Sequence, residues 1–468
     1  MITRLEVDGF KSFERLDIEF DPFTIVLGSN AAGKSNLFDV IQFLSNLADR
    51  DVNEAMKGLR GEPRELFRRT AADNGTRIEI AVEVLVQPEV TDPYGVRIEL
   101  THTRLRYELS LERREVRPGV DRVYVVKESV THISATKDAW AKRLKPTHDA
   151  SSQYLRYGKR KSPFLSTEEG KSGPEFSIAQ DGKQGRVRPA NAAEATVLYS
   201  ITNAAEFRHL FALRQELISW RLLQLDPVLL RSRAPATAPE ELEIDGSNLA
   251  AVLATMKQET ATEEDPEGAL ADISAQLGSL VRDVANVDAE FDEARREYLI
   301  RLEMRDGVSF SSNVVSDGTL RILALLAVLH DPRSKGVICF EEPENGIHPA
   351  RVRLLIDLLG SMVTDLFAAE PDHQRALEPL GQLVLNSHSP VVLAALLNAD
   401  LASSIGRVLF ADTVSVVDPE SRSRRRKSRF RQVRYEGQVD AFEGEDSAPP
   451  FVSDREVLQV LETADMAA

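Results

Sequence analysis

The chain has 468 residues, enough for two or three domains, and its hydrophobic content of 42% is enough for a large core. A net charge of −16 and a pI near 5.2 argue against a protein that coats nucleic acid with its whole surface, although they leave room for a local basic face. The single cysteine, Cys339, excludes a disulfide framework. Because no apolar run is long enough to span a membrane and the first residues do not resemble a signal peptide, we expect a cytoplasmic protein without membrane contact.

A glycine-rich loop between a strand and a helix is the most informative motif. The run Phe23–Leu27 predicts a buried strand, and an apolar-periodic helix extends to about Ala48. The loop between them fits the pattern G-x-x-x-x-G-K-[ST] and consists of Gly28, Ser29, Asn30, Ala31, Ala32, Gly33, Lys34 and Ser35. In such a loop the backbone N–H groups surround phosphates, the lysine contacts the β- and γ-phosphates, and the serine ligates Mg²⁺. The motif predicts that the chain binds a nucleoside triphosphate.

Alternating apolar residues predict an antiparallel sheet over residues 76–133. Its clearest segments are Ile78–Val84, Val96–Leu111 and Val123–Val130, and an earlier strand is predicted over Ile2–Val7. Residues 134–190 are polar and weakly periodic, so we expect irregular structure there.

Helical periodicity predicts a helical insertion over residues 190–290. One helix is expected over Asn248–Lys257 with Ser247 as its N-cap, and another over residues 265–287. Alternation from Tyr298 to Met304, followed by Asp306-Gly307, predicts a hairpin.

Two strands of a second α/β block end in polar groups. The first, which begins near Gly336, ends at Glu341 and Glu342; one acid is expected to hold Mg²⁺ and the other to polarise a water in line with the γ-phosphate. A solvated acidic strand end is the alternative. The second strand ends at His388, 46 residues after Glu342, where ring N–H groups could sense a γ-phosphate. A histidine with no role in catalysis is the alternative there.

A predicted helix start is the third candidate site of this block. Ser316 and Gly318 precede the helix Ile322–Leu329, and free N–H groups at a helix N-terminus can bind an anion. Taken alone, a plain N-cap explains this serine better.

The order of these motifs resembles that of ABC-type ATPases, particularly the SMC/RecF/OLD group. The run Phe340–Pro349, FEEPENGIHP, is similar to the EEPENGLHP segment of small bacterial members, and Ile244–Leu249 and Ser316–Thr319 are similar to other segments of that subgroup. The resemblance covers residues 1–60 and about 300–400. It implies an α/β fold, namely an ABC-type P-loop NTPase head with a mixed β-sheet, flanking helices, an antiparallel β subdomain and a helical insertion.

The resemblance also implies a domain organisation. The expected parts are an N-terminal half of the head over 1–133, the insertion over 134–290, a C-terminal half of the head over 291–400, and strands with a basic hairpin and an acidic tail over 401–468.

Roles for individual residues follow from the resemblance, because two ATP molecules are sandwiched between two head domains in that family. A homodimer or higher oligomer is therefore expected. The residues expected to hold ATP are Gly28, Ser29, Asn30, Ala31, Ala32, Gly33, Lys34, Ser35 and Asn36, with Ser35 and Glu341 on Mg²⁺. Glu342 corresponds to the general base, His388 to the switch histidine, and Ser316 and Gly318 to the residues that reach the γ-phosphate of the partner's nucleotide.

Three features depart from the family or stay unassigned. Glu341 stands where aspartate is more common, and Ser-Asp-Gly-Thr replaces the usual Ser-Gly-Gly-Gln signature. His348 is expected to be structural or interfacial. No Q-loop glutamine is assigned, and Gln42 is expected to be a surface residue of its helix. The choice of ATP over GTP rests on the resemblance.

Three biological roles stay open at this point. The first is an ATP-gated regulator in bacterial anti-phage or toxin-type defence, acting on a nuclease or toxin encoded nearby. The second is a DNA-repair or SMC-like DNA-binding ATPase, and the third is a scaffold held together by ATP with little turnover. About eighty residues follow His388, which is short for the Toprim nuclease domain of OLD proteins, so we expect no nuclease activity. A transporter role is disfavoured by the long insertion and the altered signature.

One segment is a candidate nucleic-acid contact. The run Arg422–Arg434 holds eight basic residues and no acid, which is enough for several salt-dependent phosphate contacts. The alternative is a solvated hairpin that pairs with the five acids between Glu436 and Asp446 or with the negatively charged body of the protein. Lys159–Lys161 is a weaker candidate.

Overall fold

The computed structural model describes residues 1–69, 75–180, 185–331, 333, 336–366, 380–397, 406–417, 424–434 and 451–467. Its described strands form two large sheets and two small ones, and helices pack on both faces of the sheet that carries the phosphate-binding loop. The structure therefore has the mixed α/β architecture that the sequence predicts.

The sheet that carries the loop has a parallel centre. Across the sheet its strands are, in order, β12 (Arg221–Leu223), β17 (Gly336–Glu341), β18 (Gly381–Ser387), β3 (Phe23–Gly28), β19 (Gly406–Val417), β20 (Arg424–Arg434) and β21 (Phe451–Ser453). From β12 to β19 each strand is parallel to its neighbour, whereas β20 is antiparallel to β19. Side chains alternate along the strands, so Val26 faces one hydrophobic core, and Ile25 and Leu27 face the other.

The second large sheet is antiparallel and has eight strands. In order they are β11 (Arg186–Pro189), β10 (Gly173–Ile178), β9 (Leu165–Gly170), β8 (Val120–His132), β7 (Arg104–Arg117), β4 (Arg77–Leu85), β1 (Ile2–Asp8) and β2 (Leu16–Glu19). The expectation of irregular structure over residues 134–190 is wrong, because β9, β10 and β11 extend this sheet. The predicted boundary at residue 133 therefore falls within a continuous sheet.

Two smaller sheets complete the set of described strands. One contains β13 (Ala234–Pro235), β15 (Glu297–Met304), β14 (Val284–Asp292) and β16 (Ser309–Ser311), and the other contains β5 (Glu89–Thr91) and β6 (Arg97–Glu99). The hairpin of β15 and β16 confirms the prediction at Asp306-Gly307. The predicted strand Val96–Leu111 is divided between β6 and β7, which lie in different sheets.

The described α-helices are mostly short. They are α1 (Lys34–Asp49), α2 (Val52–Lys57), α3 (Pro63–Leu66), α4 (Ala139–Leu144), α5 (His148–Tyr154), α6 (Arg208–Ile218), α7 (Pro227–Leu230), α8 (Leu249–Thr260), α9 (Ala269–Leu280), α10 (Asp317–His330), α11 (Val352–Ser361), α12 (Pro390–Leu397) and α13 (Asp454–Ala467). Asn248 and not Ser247 precedes α8, and the predicted helix over 265–287 is divided between α9 and β14. The 134–290 segment therefore contains strands of three sheets as well as helices.

The helix that follows the phosphate-binding loop lies in the core between the two large sheets. α1 is buried along most of its surface, and Leu37, Phe38, Val40 and Phe43 are fully buried. The same core contains apolar residues of the antiparallel sheet and of α6, and this packing fixes the start of α1 next to the loop.

Candidate functional site

Three parallel strands bring the predicted site residues to one edge of the sheet. The register aligns Glu341 with Asn386 and Ser387 with Leu27, so β17, β18 and β3 end at the same level. Ligands of open α/β sheets bind at this carboxyl edge of the strands. A cavity of about 340 Å³ lies there, and its lining residues are Asn30, Ala31, Ala32, Gly33, Lys34, Ser35, Asn36, Glu341, Glu342 and Asn386.

Lys34 is the first residue of α1, and its side chain is buried against the loop. Its Nζ donates to the carbonyl oxygens of Gly28 at 2.6 Å and Ser29 at 2.9 Å, so the side chain spans the loop. Burial lowers the pKa of Lys34, while the carboxylates of Glu342 and Glu341 act in the opposite direction. The amine is held within reach of both acids of the cavity, which is where a polyphosphate would need a counter-charge.

Close packing behind the loop explains its glycines. A Cβ at Gly28 would lie 2.3 Å from the carbonyl oxygen of Ala411 in β19, and a Cβ at Gly33, where φ is +100°, would lie 2.2 Å from Ser428 Oγ in β20. Only glycine is compatible with contacts this short and with this backbone conformation. The strands β19 and β20 therefore form the wall behind the loop.

Glu342, which lines the cavity, forms a hydrogen-bonded pair with His388, which is not among the lining residues. His388 Nδ1 lies 2.8 Å from Glu342 Oε1, and Asn345 Nδ2 donates to Glu342 Oε2 at 2.6 Å. The backbone of Glu342 has φ of +53°, which is a strained conformation for a residue with a side chain. Strain of this kind is found at functional sites, where the surrounding contacts impose it.

Glu341 lies at the other side of the same strand end. Asn386 Nδ2 donates to Glu341 Oε1 at 3.1 Å, and Asn386 also accepts the backbone N–H of Glu342 through its carbonyl oxygen at 2.9 Å. Glu341 and Ser35 both line the cavity. Their oxygen atoms are the kind of donor that Mg²⁺ prefers.

The predicted helix start at Ser316 is confirmed as an N-cap. Its hydroxyl accepts the N–H of Thr319 at 3.2 Å, and α10 begins at the next residue. Ser316 and Gly318 do not line the cavity described above. Gly318 instead packs on Gly346, because a Cβ at Gly318 would lie 2.4 Å from the Cα of Gly346. Their contact with a partner's nucleotide stays a prediction.

Two polar residues near the cavity were missed in the sequence. The guanidinium of Arg60 donates to the carbonyl oxygen of Ser35 at 2.6 Å and binds Asp39, although Arg60 lies in no recognisable motif. Gln224 directly follows β12, whose last residue, Leu223, is aligned with Phe340, the residue before Glu341. In the sequence, the only sign of this residue is a glutamine after a short apolar run. The glutamine becomes a candidate for the site once β12 is known to lie next to β17, the strand that ends at Glu341.

Two other polar residues behave as expected. Gln42 lies part-way along α1 and donates to Asn46 at 2.8 Å. His348 is exposed, and its Nδ1 accepts the N–H of Ala350 at 3.2 Å, which gives it a structural role in the turn after the acids.

The basic segment forms strand β20, and part of its charge is neutralised within the chain. Arg429 and Arg431 both bind Asp412, and Arg431 also binds Glu456. The guanidinium of Arg434 stacks on the ring of Phe451. Arg422 and the acids between residues 436 and 446 lie outside the described residues. In the weaker candidate Lys159–Lys161, the guanidinium of Arg160 lies over the ring of Phe164.

The residues present fit a nucleoside triphosphate with Mg²⁺. A buried lysine, a glycine loop at a helix N-terminus and two oxygen donors meet in a cavity of suitable size. No helix among the described residues is long and apolar enough to cross a membrane.

Comparison with known proteins identifies the family to which the chain belongs. Residues 23–394 match the family described as "AAA domain, putative AbiEii toxin, Type IV TA system". The chain belongs to this family. It is an ABC-type ATPase of the SMC/RecF group, as the motif order predicts.

Curated relatives match over short segments only. The chain is 31% identical over 86 residues to the DNA replication and repair protein RecF of Acidothermus cellulolyticus, which covers 18% of this chain and 23% of the relative. It is 31% identical over 120 residues to the chromosome partition protein Smc of Bacillus subtilis, which covers 25% of this chain and 9% of the relative. The chain thus spans less than a quarter of the length of these relatives.

Solved structures of SMC heads align along nearly the whole chain at low similarity. The SMC head domain from Thermotoga maritima gives a TM-score of 0.37 at 11% identity and covers 92% of this chain and 99% of that chain. The Smc head domain derived from Pyrococcus furiosus, bound to the C-terminal domain of ScpA, gives a TM-score of 0.44 at 12% identity and covers 92% and 96%.

Proposed function

We propose that this protein binds ATP with Mg²⁺, hydrolyses it, and forms a dimer in which each nucleotide lies between two copies. The observation that carries the hydrolytic part of the proposal is that Glu342 lines the same cavity as Lys34 and is hydrogen-bonded to His388. A carboxylate in this place is suited to accept the proton of an attacking water.

Each residue of the cavity has a distinct task in this proposal. The loop N–H groups and Lys34 hold the phosphates, and Ser35 with Glu341 hold Mg²⁺, which would neutralise charge on the phosphate oxygens when bound. Glu342 takes the proton of the water at the carboxylate. His388 and Asn345 each hold one oxygen of that carboxylate and so fix its orientation.

We also propose tasks for the two residues that sequence reasoning missed. Arg60 is close enough to Ser35 to add positive charge beside the phosphates. Gln224, at the level of Glu341 on the neighbouring strand, is proposed as the Q-loop glutamine that helps to hold Mg²⁺.

The dimer is supported by what surrounds Ser316. Ser316 is exposed and lies outside the cavity of its own chain, so its side chain is accessible to a second copy, whereas Gly318 is buried against Gly346. Exposed apolar side chains lie nearby, including Val314 at 69% and Val228 at 72% exposure, and α7 with Val228 packs on α10. Exposed apolar groups of this kind mark interaction surfaces.

For the biological role we propose a nucleotide-gated regulator in bacterial defence that controls a partner nuclease or toxin. The support is the description of the matched family, which names a toxin and a toxin–antitoxin system. A DNA-repair role is the second candidate, because the curated relatives are a DNA replication and repair protein and a chromosome partition protein. An ATP-held scaffold with little turnover is the remaining alternative, and no nuclease activity is expected from this chain.

Hydrolysis and dimerisation are tested together on two variants. Lys34→Ala should abolish ATP binding, because the amine that faces the phosphates is lost. Glu342→Gln should bind ATP, hydrolyse it slowly and accumulate as a dimer, which light scattering measures. Retained ATP binding by the first variant, or a monomeric second variant with ATP and Mg²⁺, would contradict the proposal.

ATP turnover with and without duplex DNA, together with a pull-down of co-purifying proteins, separates the three biological roles.

A further inference from the structure

A third acid, Glu344, lies behind the two acids of the cavity. It is only 8% exposed, whereas Glu342, two residues earlier, lines the cavity. Glu344 Oε1 accepts a short hydrogen bond from the hydroxyl of Ser387, and Glu344 Oε2 is buried without a hydrogen-bond partner among the described residues. No motif gives this acid a role.

Ser387 connects this acid to the switch histidine. It is the last residue of β18, is fully buried and directly precedes His388. Besides donating to Glu344, its hydroxyl accepts the N–H of Ser389 at 3.0 Å. The hydroxyl therefore restrains the backbone turn on both sides of His388.

Stability alone is a poor reason for a carboxylate in this place. A buried carboxylate costs free energy unless its oxygens are satisfied, and burial raises the pKa of Glu344. Only one of its two oxygens has a partner among the described residues. A buried carboxylate that destabilises the fold and lies next to the pair of Glu342 and His388 points to a role in the reaction.

We propose that Glu344 is a positioning residue: through Ser387 it holds His388 in hydrogen-bond contact with Glu342 while ATP is hydrolysed. The inference rests on the proposed ATPase function. It predicts that loss of the Glu344–Ser387 hydrogen bond lowers kcat and leaves ATP binding unchanged, because neither residue lines the cavity.

The test measures kcat and KM for ATP in single and combined variants. Glu344→Ala and Ser387→Ala should each lower kcat about tenfold, since a small misplacement of a catalytic group is costly. The double variant should lose no more than either single variant. In a His388→Ala background, Glu344→Ala should change kcat by less than about twofold, because the residue that it positions is gone.

Conservative variants and a control complete the design. Glu344→Gln keeps an oxygen that accepts from Ser387, so it should restore at least half of the wild-type kcat. Glu243→Ala is the control, because the exposed Glu243 also accepts from a serine hydroxyl, that of Ser247, but this serine is not next to any residue of the candidate site; its kcat should equal that of the wild type. Should Glu344→Ala fail to fold, Ser387→Ala removes the same hydrogen bond with the loss of one atom.

Two outcomes separate this inference from the function on which it rests. A wild-type protein that hydrolyses no ATP would overturn the proposed function. An active wild type would overturn the inference alone if Ser387→Ala kept full kcat, or if the effects of Glu344→Ala and His388→Ala were additive.

Discussion

A buried histidine predicts how the stability of this protein changes with pH. His209 lies in the first turn of α6, and its ring stacks on Phe164 with centroids 4.3 Å apart. Burial is the main reason why the pKa of His209 is lowered to about 3, and the nearby charges of His102, Arg160 and Arg208 add to it. The ordinary pKa of histidine is about 6.5.

The sign and size of the effect follow from these two values. Below about pH 6.5 the imidazole of His209 is protonated in the unfolded chain but stays neutral in the folded protein. The contribution of His209 to the free energy of unfolding is therefore constant above about pH 6.5 and falls as the pH decreases toward about 3. One pKa unit corresponds to about 1.4 kcal/mol, so the folded state should lose about 2 kcal/mol from His209 between neutral pH and about pH 5.

Urea unfolding of a His209→Gln variant measures this loss. Glutamine keeps an acceptor for the backbone N–H of His102 but does not titrate. The fluorescence of Trp140 and Trp220, both buried, reports unfolding. The variant should lose less stability than the wild type between about pH 7.5 and about pH 5, by about 2 kcal/mol. His148→Gln is the control, because that side chain is 94% exposed and lies in water in both states. An equal loss in the wild type and His209→Gln would show that His209 does not cause the loss of stability.

Three other changes have defined outcomes. Gly346→Ala places a Cβ 2.3 Å from the Cα of Gly318 at a φ of +88°, so we expect a lower thermal unfolding midpoint and slower ATP hydrolysis. Gln224→Ala should raise the Mg²⁺ concentration needed for half-maximal hydrolysis, and an unchanged Mg²⁺ dependence would remove Gln224 from the metal site. Neutralising Arg424–Arg426 should weaken duplex DNA binding and flatten its salt dependence, whereas unchanged binding would leave β20 as a structural strand.

The parts of the fold that the sequence predicts well are those with strong local signals. The buried strand at Phe23, the helix that begins at Lys34, the cap at Ser316 and the strands before Glu342 and His388 each carry an apolar run or a capping residue within a few positions. These five elements also carry nearly all of the predicted site.

The parts that were missed depend on contacts distant in sequence. β11 is exposed along its whole length, so its residues show no apolar alternation, and β12 has only three residues. Glu342, with its left-handed backbone, and His388 are 46 residues apart in the chain. They come into contact only because β17 and β18 lie side by side. Ordinary periodicity contains no information on such a contact, which tertiary packing alone determines.

Mixing two inactive variants shows whether each nucleotide site is shared by two copies of the protein. Lys34→Ala disables the phosphate-binding loop but keeps Ser316 at the start of α10. Ser316→Glu blocks the start of α10 but keeps the phosphate-binding loop. In a mixed dimer one site would combine an intact loop with an intact Ser316. If the site is shared, each variant alone is inactive and the mixture regains ATPase activity with rising protein concentration. A mixture that stays inactive, although gel filtration shows mixed dimers with ATP and Mg²⁺, would contradict the shared site.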